Sequence, residues 1–429
     1  MNYPETVRYL FSLLPAYHRI GKPAYKNNLD NTLVLDEYFG HPHKKYRTVH
    51  ISGTNGKGSV SHMIASVLQE AGYKTGLYTS PHLKDFRERI RIDGRMIGEK
   101  DVISFVAQHN DLIKKVQPSF FEFTAAMAFD YFARREIDVA VVETGMGGRL
   151  DSTNIITPEL SVITNIGHDH MEFLGATLAA VAGEKAGIIK KGIPVVIGET
   201  RKETERVFRE KAEAMDATVT FADRIYRCRL GSFSDGEVMR RFTLKDLRDG
   251  TARKGLTPLG GDVQRKNIQT VAAAIDILSG SFRLTGDNFI RGMADVVTST
   301  GFFGRWQVLS QSPLTICDTG HNREGLEYVL RQLRKMPKQQ LHIVMGFVSD
   351  KDLSSLLPLF PRDANYYFTM ASVPRALDVK MLMAEAARYG LYGSCHMNVE
   401  AALKAARAAA KPDDMIFIGG STFVVGEVL

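Results

Sequence analysis

Between His50 and Gly198 short β-branched apolar runs alternate with amphipathic stretches, and this alternation constrains the fold more than any other feature of the chain. The runs Thr48–Ser52, Val139–Glu143, Leu160–Thr164 and Pro194–Ile197 are bounded by Gly, Asn or Pro. Near-continuous apolar strands separated by helices predict a parallel sheet covered on both faces, because each strand must bury both of its sides. After Gly58, the residues Val60, Met63, Ile64, Val67, Leu68 and Ala71 fall on one helical stripe, which Gly72 ends. Strand, glycine loop and helix make the unit from which doubly wound sheets are built.

Further along the pattern changes. A charged helix over Lys202–Met215 leads into short alternating segments at Thr218–Ala222 and Val238–Leu244, which predict an antiparallel appendage. Helical periodicity returns over Lys266–Leu278, and the Ser/Thr/Gly/Phe stretch at Thr298–Gly304 reads as a linker. Beyond it the alternation restarts, with strands at Leu314–Cys317, His342–Met345, Tyr366–Thr369 and Met415–Ile418 and helices between them. The expected fold is α/β: a doubly wound, mostly parallel sheet of the P-loop ATPase type with a small antiparallel appendage over residues 1–297, then a smaller Rossmann-like α/β domain over 298–429.

Composition excludes several classes. With 24% charged and 44% hydrophobic residues, the chain is neither disordered nor collagen-like. Its three cysteines, Cys228, Cys317 and Cys395, are too few and too scattered for a disulfide framework or a Cys-based zinc site. A net charge of +7 suits anionic small molecules, but the basic residues are dispersed, so no nucleic-acid footprint is expected. No window approaches a membrane span. The N-terminal stretch carries Val7, Leu10, Phe11 and Leu14 at helical spacing and no basic leader, which predicts a docking helix and a cytoplasmic, unexported protein.

Three strand ends carry chemistry. The first is Gly53-Thr54-Asn55-Gly56-Lys57-Gly58-Ser59, lying between strand and helix where a phosphate-binding loop must be. Backbone N–H groups converge there with a helix N-terminus, Lys57 can reach terminal phosphates, and the Ser59 hydroxyl can face Mg²⁺. The spacing is not a standard Walker A, since Gly58 separates Lys57 from Ser59. The second is Glu143 at the carboxyl end of a strand, followed by Gly145-Met146-Gly147-Gly148; Leu150 stands where a dinucleotide fingerprint needs its third glycine. The third is Asn165-Ile166-Gly167-His168-Asp169-His170. Oxygen-rich ligands with at most one imidazole suit Mg²⁺ or Mn²⁺ better than Zn²⁺.

The loop, together with Thr79-Ser80-Pro81-His82-Leu83, Glu143–Asn154, Asp169-His170, Glu184-Lys185-Ala186-Gly187-Ile188, Gly304-Arg305, Asp318-x-x-His321-Asn322 and Asp350-Lys351-Asp352, closely resembles the folylpolyglutamate synthase/dihydrofolate synthase family of the Mur ligase superfamily. The likeness runs in order along nearly the whole chain. It implies an ATP-dependent ligase that joins a pteroate or folate carboxylate to the amine of L-glutamate through an acyl phosphate. The expected partners are these small molecules, bound by a monomer; the dispersed charge and the lack of a long apolar window argue against nucleic acid and membrane. The alternative within the superfamily is a murein-precursor ligase acting on a UDP-sugar; the Leu150–Asn154 and Thr79–His82 segments favour the folate branch.

By resemblance, Thr54, Asn55, Gly56, Lys57, Gly58 and Ser59 cradle the phosphates, with Lys57 catalytic; Asn267, Arg305 and Asp318 hold the nucleotide. Ser80, Glu143 and His170 match metal ligands, implying two Mg²⁺ ions, and Lys185 matches a lysine that is carbamylated in the family. Phe121, Glu122, Leu150, Asp151 and Ser152 match the pterin side of the site, and His321 and Ser421 the glutamate side, His321 with a catalytic role. The sequence departs from the family at Val263, where histidine is common, at Thr319-Gly320, and at Arg323, which stands in place of a common proline.

Overall fold

The β-branched runs become the middle of an eight-stranded sheet in the computed structural model, which describes residues 1–15, 28–168, 171–233 and 239–429. In chain order its strands are β1 (Arg47–Ser52), β2 (Thr75–Tyr78), β3 (Ile90–Ile92), β4 (Arg95–Met96), β5 (Val139–Glu143), β6 (Leu160–Ile163), β7 (Val195–Ile197) and β8 (Val219–Phe221). Across the sheet the order is β4-β3-β2-β5-β1-β6-β7-β8. Pairing is parallel from β2 to β8, while β3 and β4 close one edge antiparallel. The carboxyl ends of β5, β1 and β6 are therefore neighbours, and the three chemistry-bearing loops leave from one edge.

The sheet is covered on both faces. The helix Lys57–Glu70 packs between the sheet and the helices Gln264–Leu278 and Gly286–Thr300. It is buried on every side from Ser59 to Leu68 rather than along a single stripe, because helices lie over the face turned away from the sheet. Full burial of side chains such as Met63, Ile64 and Leu68 contributes about 1.5–3 kcal/mol each. Gly292 lets the helices approach closely, since a Cβ there would stand 2.7 Å from Val67. On the opposite face the helices Tyr3–Leu13, Glu99–Gln108 and Phe120–Arg134 bury Leu10, Phe105, Phe123 and Phe129 against Tyr78, Ala140 and Val142. The helices Leu178–Ala186 and Lys202–Ala214 cover β6 and β7 through Val181, Ala182 and Phe208.

Two sequence expectations need correction. The segment at Thr218–Ala222 belongs to the main sheet as β8, parallel to β7, because Phe221 completes the apolar cluster there. The antiparallel appendage consists instead of β9 (Tyr226–Phe233), β10 (Arg240–Asp246) and β11 (Ala252–Thr257), in the order β11-β10-β9. Val238 lies outside the described residues. The stretch read as a linker is helical through Thr300, where Gly301 at φ +64° ends the helix. Polar Ser299 and Thr300 look loop-like in sequence, but they bond Ser66 and His62 of the neighbouring helix.

The described residues divide into two compact units, one built mainly from Met1–Ser232, Met239–Pro258 and Gln264–Phe302, the other mainly from Leu259–Val263 and Phe303–Leu429. The second unit holds six strands, β12 (Gln307–Gln311), β13 (Leu314–Cys317), β14 (Leu341–Met345), β15 (Asn365–Phe368), β16 (Gly393–Cys395) and β17 (Met415–Gly419). Their order is β12-β13-β17-β14-β15-β16, parallel except for β12. Ile316, Leu330, Phe368 and Phe417 fill one face; Cys317, Val344, Leu403 and Ile418 fill the other. The polar β12 and β16 escape sequence patterning because each is an edge strand with little to bury. Among the described residues no helix is long and apolar enough to cross a membrane.

Candidate active site

The glycine loop follows β1 and opens the helix Lys57–Glu70, with Gly56 at φ +84° as its N-cap. A Cβ at Gly56 would stand 2.5 Å from Asn267 Oδ1, and Gly53, at φ +146°, lies against Thr164 Oγ1. Both glycines are therefore fixed twice over, by backbone conformation and by contact. The β6 end holds the loop in place. Thr54 N–H donates to the Asn165 carbonyl at 2.9 Å, Asn55 N–H to Asn165 Oδ1 at 2.8 Å, and Thr164 Oγ1 to the Asn55 carbonyl at 2.6 Å. Thr54 Oγ1 bonds the Gly167 backbone in both directions, donating at 3.2 Å and accepting at 2.9 Å.

Lys57, half-buried, folds back over its own loop and donates to the carbonyls of Gly53 at 3.1 Å and Thr54 at 3.3 Å. Ser59 is buried, its hydroxyl 3.5 Å from Gln264 Nε2, and Gln264 Oε1 accepts from Asn267 Nδ2 at 2.8 Å. The first turn of the helix Gln264–Leu278 is thereby tied to the loop. Sequence reading singled out Asn267 but not the roles of Thr164, Asn165 and Gln264; the available signal for the first two was their position directly after an apolar strand.

Glu143 ends β5 as a buried carboxylate, with Oε2 accepting from the Ser80 N–H at 3.2 Å and lying 3.8 Å from where a Gly58 Cβ would be. The tips of β2 and β5 thus bring Ser80 and Glu143 to the loop. A buried carboxylate and a hydroxyl are oxygen donors suited to a hard cation such as Mg²⁺. His170 lies outside the described residues, as does Asp169. Arg89, which sequence reading passed over, is buried close enough for the Glu143 charge to favour its cationic form, while burial itself, the larger effect, pushes the guanidinium pKa down; its Nε donates to His82 Nδ1 at 2.8 Å.

Lys185 is buried in the helix Leu178–Ala186 and donates from Nζ to the Gly53 carbonyl at 2.7 Å. As an ammonium it is a donor and no metal ligand; it fits that role only as a carbamate.

Most of the residues expected on the pterin side lie in or against the loop after β5. The Phe121 ring lies under Gly145, 2.6 Å from a notional Cβ, and 5.8 Å from the Tyr78 ring. Glu122 closes a capping box at the start of the helix Phe120–Arg134, its Oε2 accepting from Ser119 N–H at 2.5 Å and from Asn31 Nδ2 at 3.3 Å. Asp151 accepts from Met146 N–H at 2.8 Å and from both the N–H and hydroxyl of Thr153, and burial pushes its pKa up. Both acids are engaged in hydrogen bonds that hold the local backbone. Leu150 is half-buried and Ser152 buried.

Within the second unit Asp318 follows β13 and is buried, accepting from Trp306 N–H and Gly320 N–H, each at 2.8 Å. Burial pushes its pKa up, and the charge of Arg305 acts in the opposite direction. His321 Nδ1 lies 3.0 Å from the Thr319 carbonyl, and Ser421 caps the short helix Thr422–Gly426.

Comparison with known proteins gives one consistent answer. Residues 51–275 match the Mur ligase middle domain, and residues 304–422 match the Mur ligase glutamate ligase domain. The chain is 33% identical to folylpolyglutamate synthase of Lacticaseibacillus casei, over 100% of this chain and 98% of that protein. It is 35% identical to dihydrofolate synthase/folylpolyglutamate synthase of Bacillus subtilis, over 83% and 84%. Among solved structures, Mycobacterium tuberculosis folylpolyglutamate synthase complexed with ADP and AMPPCP superposes with a TM-score of 0.87 at 30% identity, covering 99% of this chain and 98% of that one. The Escherichia coli FolC complex with DHPP and ADP gives a TM-score of 0.84 at 26% identity, covering 100% and 97%. With full-length relatives, both domain matches and a shared fold, the chain belongs to the folylpolyglutamate synthase/dihydrofolate synthase family of Mur ligases.

Proposed function

We propose that this protein is an ATP-dependent ligase that joins L-glutamate to the carboxylate of dihydropteroate, of reduced folates, or of both, releasing ADP and phosphate. The observation that carries this reading is the loop Gly53–Ser59 at a helix N-terminus with the Glu143 carboxylate beside it. It is supported by a relative named for polyglutamate synthesis that matches 100% of the chain and one named for both activities that matches 83% of it.

The chemistry explains the residue types. A carboxylate is a poor acyl donor because its oxygen leaves as a strong base. Attack of that oxygen on the γ-phosphorus of ATP expels ADP and gives an acyl phosphate. The glutamate amine then adds to the acyl carbon, the tetrahedral adduct loses phosphate, and an amide remains. No enzyme nucleophile is required, so positioning and charge neutralisation carry the catalysis.

In this proposal the loop N–H groups hold the β- and γ-phosphates and Lys57 exchanges its two loop carbonyls for phosphate oxygens. Glu143 and Ser80 would hold Mg²⁺, together with His170, and carbamylated Lys185 would serve a second ion. When bound, the metal supplies charge neutralisation between two approaching anions. Asn267, Arg305 and Asp318 are proposed for the nucleotide, Phe121 and Leu150–Ser152 for the pterin, and His321 and Ser421 for glutamate. The test is product formation by the purified protein with ATP and L-glutamate, given dihydropteroate in one reaction and a reduced folate in another. Glutamylated product with stoichiometric ADP supports the reading; neither product nor ADP in either reaction rejects it.

A further inference from the structure

We propose that Asp36, His41 and His43 form a second divalent-metal site, suited to Zn²⁺ and separate from the phosphate loop. Asp36 lies in the helix Asp30–Tyr38, and His41 and His43 follow in the turn that leads to β1. One ligand atom from each residue lies within 4.8 Å of the other two. His43 Nε2 is 3.3 Å from Asp36 Oδ1 and 3.4 Å from Oδ2. With zinc bonds of about 2.0–2.1 Å, tetrahedral ligands stand roughly 3.3–3.4 Å apart, so this pair already has the spacing of a coordinated set.

Two further observations favour a ligand over a simple hydrogen-bonded trio. Asp36 is buried, and among the described residues its Oδ1 accepts no hydrogen bond of good geometry, having only the 3.3 Å contact with His43 Nε2, although a buried carboxylate oxygen ordinarily accepts one. His41 holds φ at +54°, an unusual conformation for a residue other than glycine, and this turns its ring onto the same carboxylate, with Nδ1 2.6 Å from Oδ2. That contact is a hydrogen bond and must lengthen when metal enters. The His41 side chain, 46% exposed, is the member free to move, and its exposure leaves room for water as a fourth ligand. His43 is buried against Phe129, which holds its ring in place beside the carboxylate.

Two imidazoles and one carboxylate are a donor set for Zn²⁺ rather than Mg²⁺, in contrast to the oxygen donors at Ser80 and Glu143. A recess lined by Thr32, Asp36, Pro42 and Ser152 adjoins the carboxylate. The ion would clip the end of the helix Asp30–Tyr38 to the turn before β1.

The test uses the full-length protein, stripped with chelator and titrated with Co²⁺ and with Zn²⁺, followed by cobalt absorption and metal content after gel filtration. The wild-type protein and the Glu143→Gln variant should both show the intense visible bands of a low-coordinate cobalt site. His41→Ala and Asp36→Asn should lose those bands and about one equivalent of retained Zn²⁺. His41→Ala removes a half-exposed ring and keeps the test independent of any folding defect in the Asp36 variant. Equal Co²⁺ bands and Zn²⁺ content in wild type and His41→Ala, or loss of the bands in Glu143→Gln alone, would overturn the assignment.

Discussion

Lys185 Nζ and the carbonyl oxygen of Gly53 are joined by a 2.7 Å hydrogen bond, so the buried lysine proposed for carbamylation touches the first residue of the phosphate loop. Arginine at this position keeps a donor but cannot be carbamylated. Lys185→Arg and Lys185→Ala should therefore both lose about 10²–10³-fold in turnover, the usual cost of removing one charge-stabilising group. Added short-chain carboxylic acids should partly restore Lys185→Ala and not Lys185→Arg, whose side chain still fills the space. Steady-state rates with and without acetate decide this. Wild-type turnover in Lys185→Arg would show that the residue serves only as a hydrogen-bond donor.

Lys57 makes its bonds to two backbone carbonyls of its own loop and lies half-buried. Its removal should cost little stability, within about 1 kcal/mol, because neither partner is a buried charge. Turnover should nevertheless fall by about 10²–10³-fold, since no other group of the loop supplies a mobile positive charge to the transferring phosphoryl group. Urea denaturation and ligation rates of Lys57→Ala, measured on one preparation, separate the two effects. Near-normal ligation by the folded variant would remove Lys57 from the chemistry.

The parallel core of the first unit was legible because β1, β5, β6 and β7 are almost wholly buried and rich in β-branched apolar residues. The edge strands were not, since Gly393-Ser394-Cys395 buries little and carries no pattern. Candidate site residues at strand ends, such as Glu143, stand out by position. Thr164 and Asn165 could not be assigned in the same way, because their work is to hold the loop backbone and no motif distinguishes that task. The His-x-His at His168–His170 drew attention through its strand end, whereas His41-Pro42-His43 lies after a helix and gains meaning only when Asp36 folds back beside it.

His50 lies in β1, fully buried, with Nε2 2.8 Å from Thr153 Oγ1. Burial, aided by the charge of Lys190, pushes its pKa down to about 3. An unfolded histidine takes up a proton near pH 6.5, so below that pH the unfolded state binds more protons than the folded one. Stability from this residue is complete above about pH 6.5 and declines by up to about 1.4 kcal/mol per pH unit on acidification. His50→Asn should flatten the fall in urea midpoint between pH 6.5 and about 4.5 without abolishing it, because burial lowers the pKa of His43 as well. Identical pH slopes in the two proteins would show that His50 can protonate in the folded state.

Gly53 and Thr164 provide a test of the loop's geometry. A Cβ on Gly53 would lie 1.8 Å from Thr164 Oγ1, and the same hydroxyl donates to the Asn55 carbonyl at 2.6 Å. In Gly53→Ala the hydroxyl must move and release Asn55, on top of the backbone strain at φ +146°. Thr164→Ala removes the oxygen in advance, so the two substitutions should couple favourably by about 1–2 kcal/mol in a double-mutant cycle. Some penalty remains, because the Thr164 Cβ and backbone nitrogen would each be 3.1 Å away. If the loop N–H groups cradle phosphate, ATP affinity should fall further than stability in Gly53→Ala, since release of Asn55 disturbs the cradle while the core beneath is untouched. Urea midpoints and ATP titrations of the wild type, both single variants and the double variant measure both quantities. Strict additivity would show that the loop accommodates the methyl group without moving Thr164, and the geometric argument for Gly53 would fail.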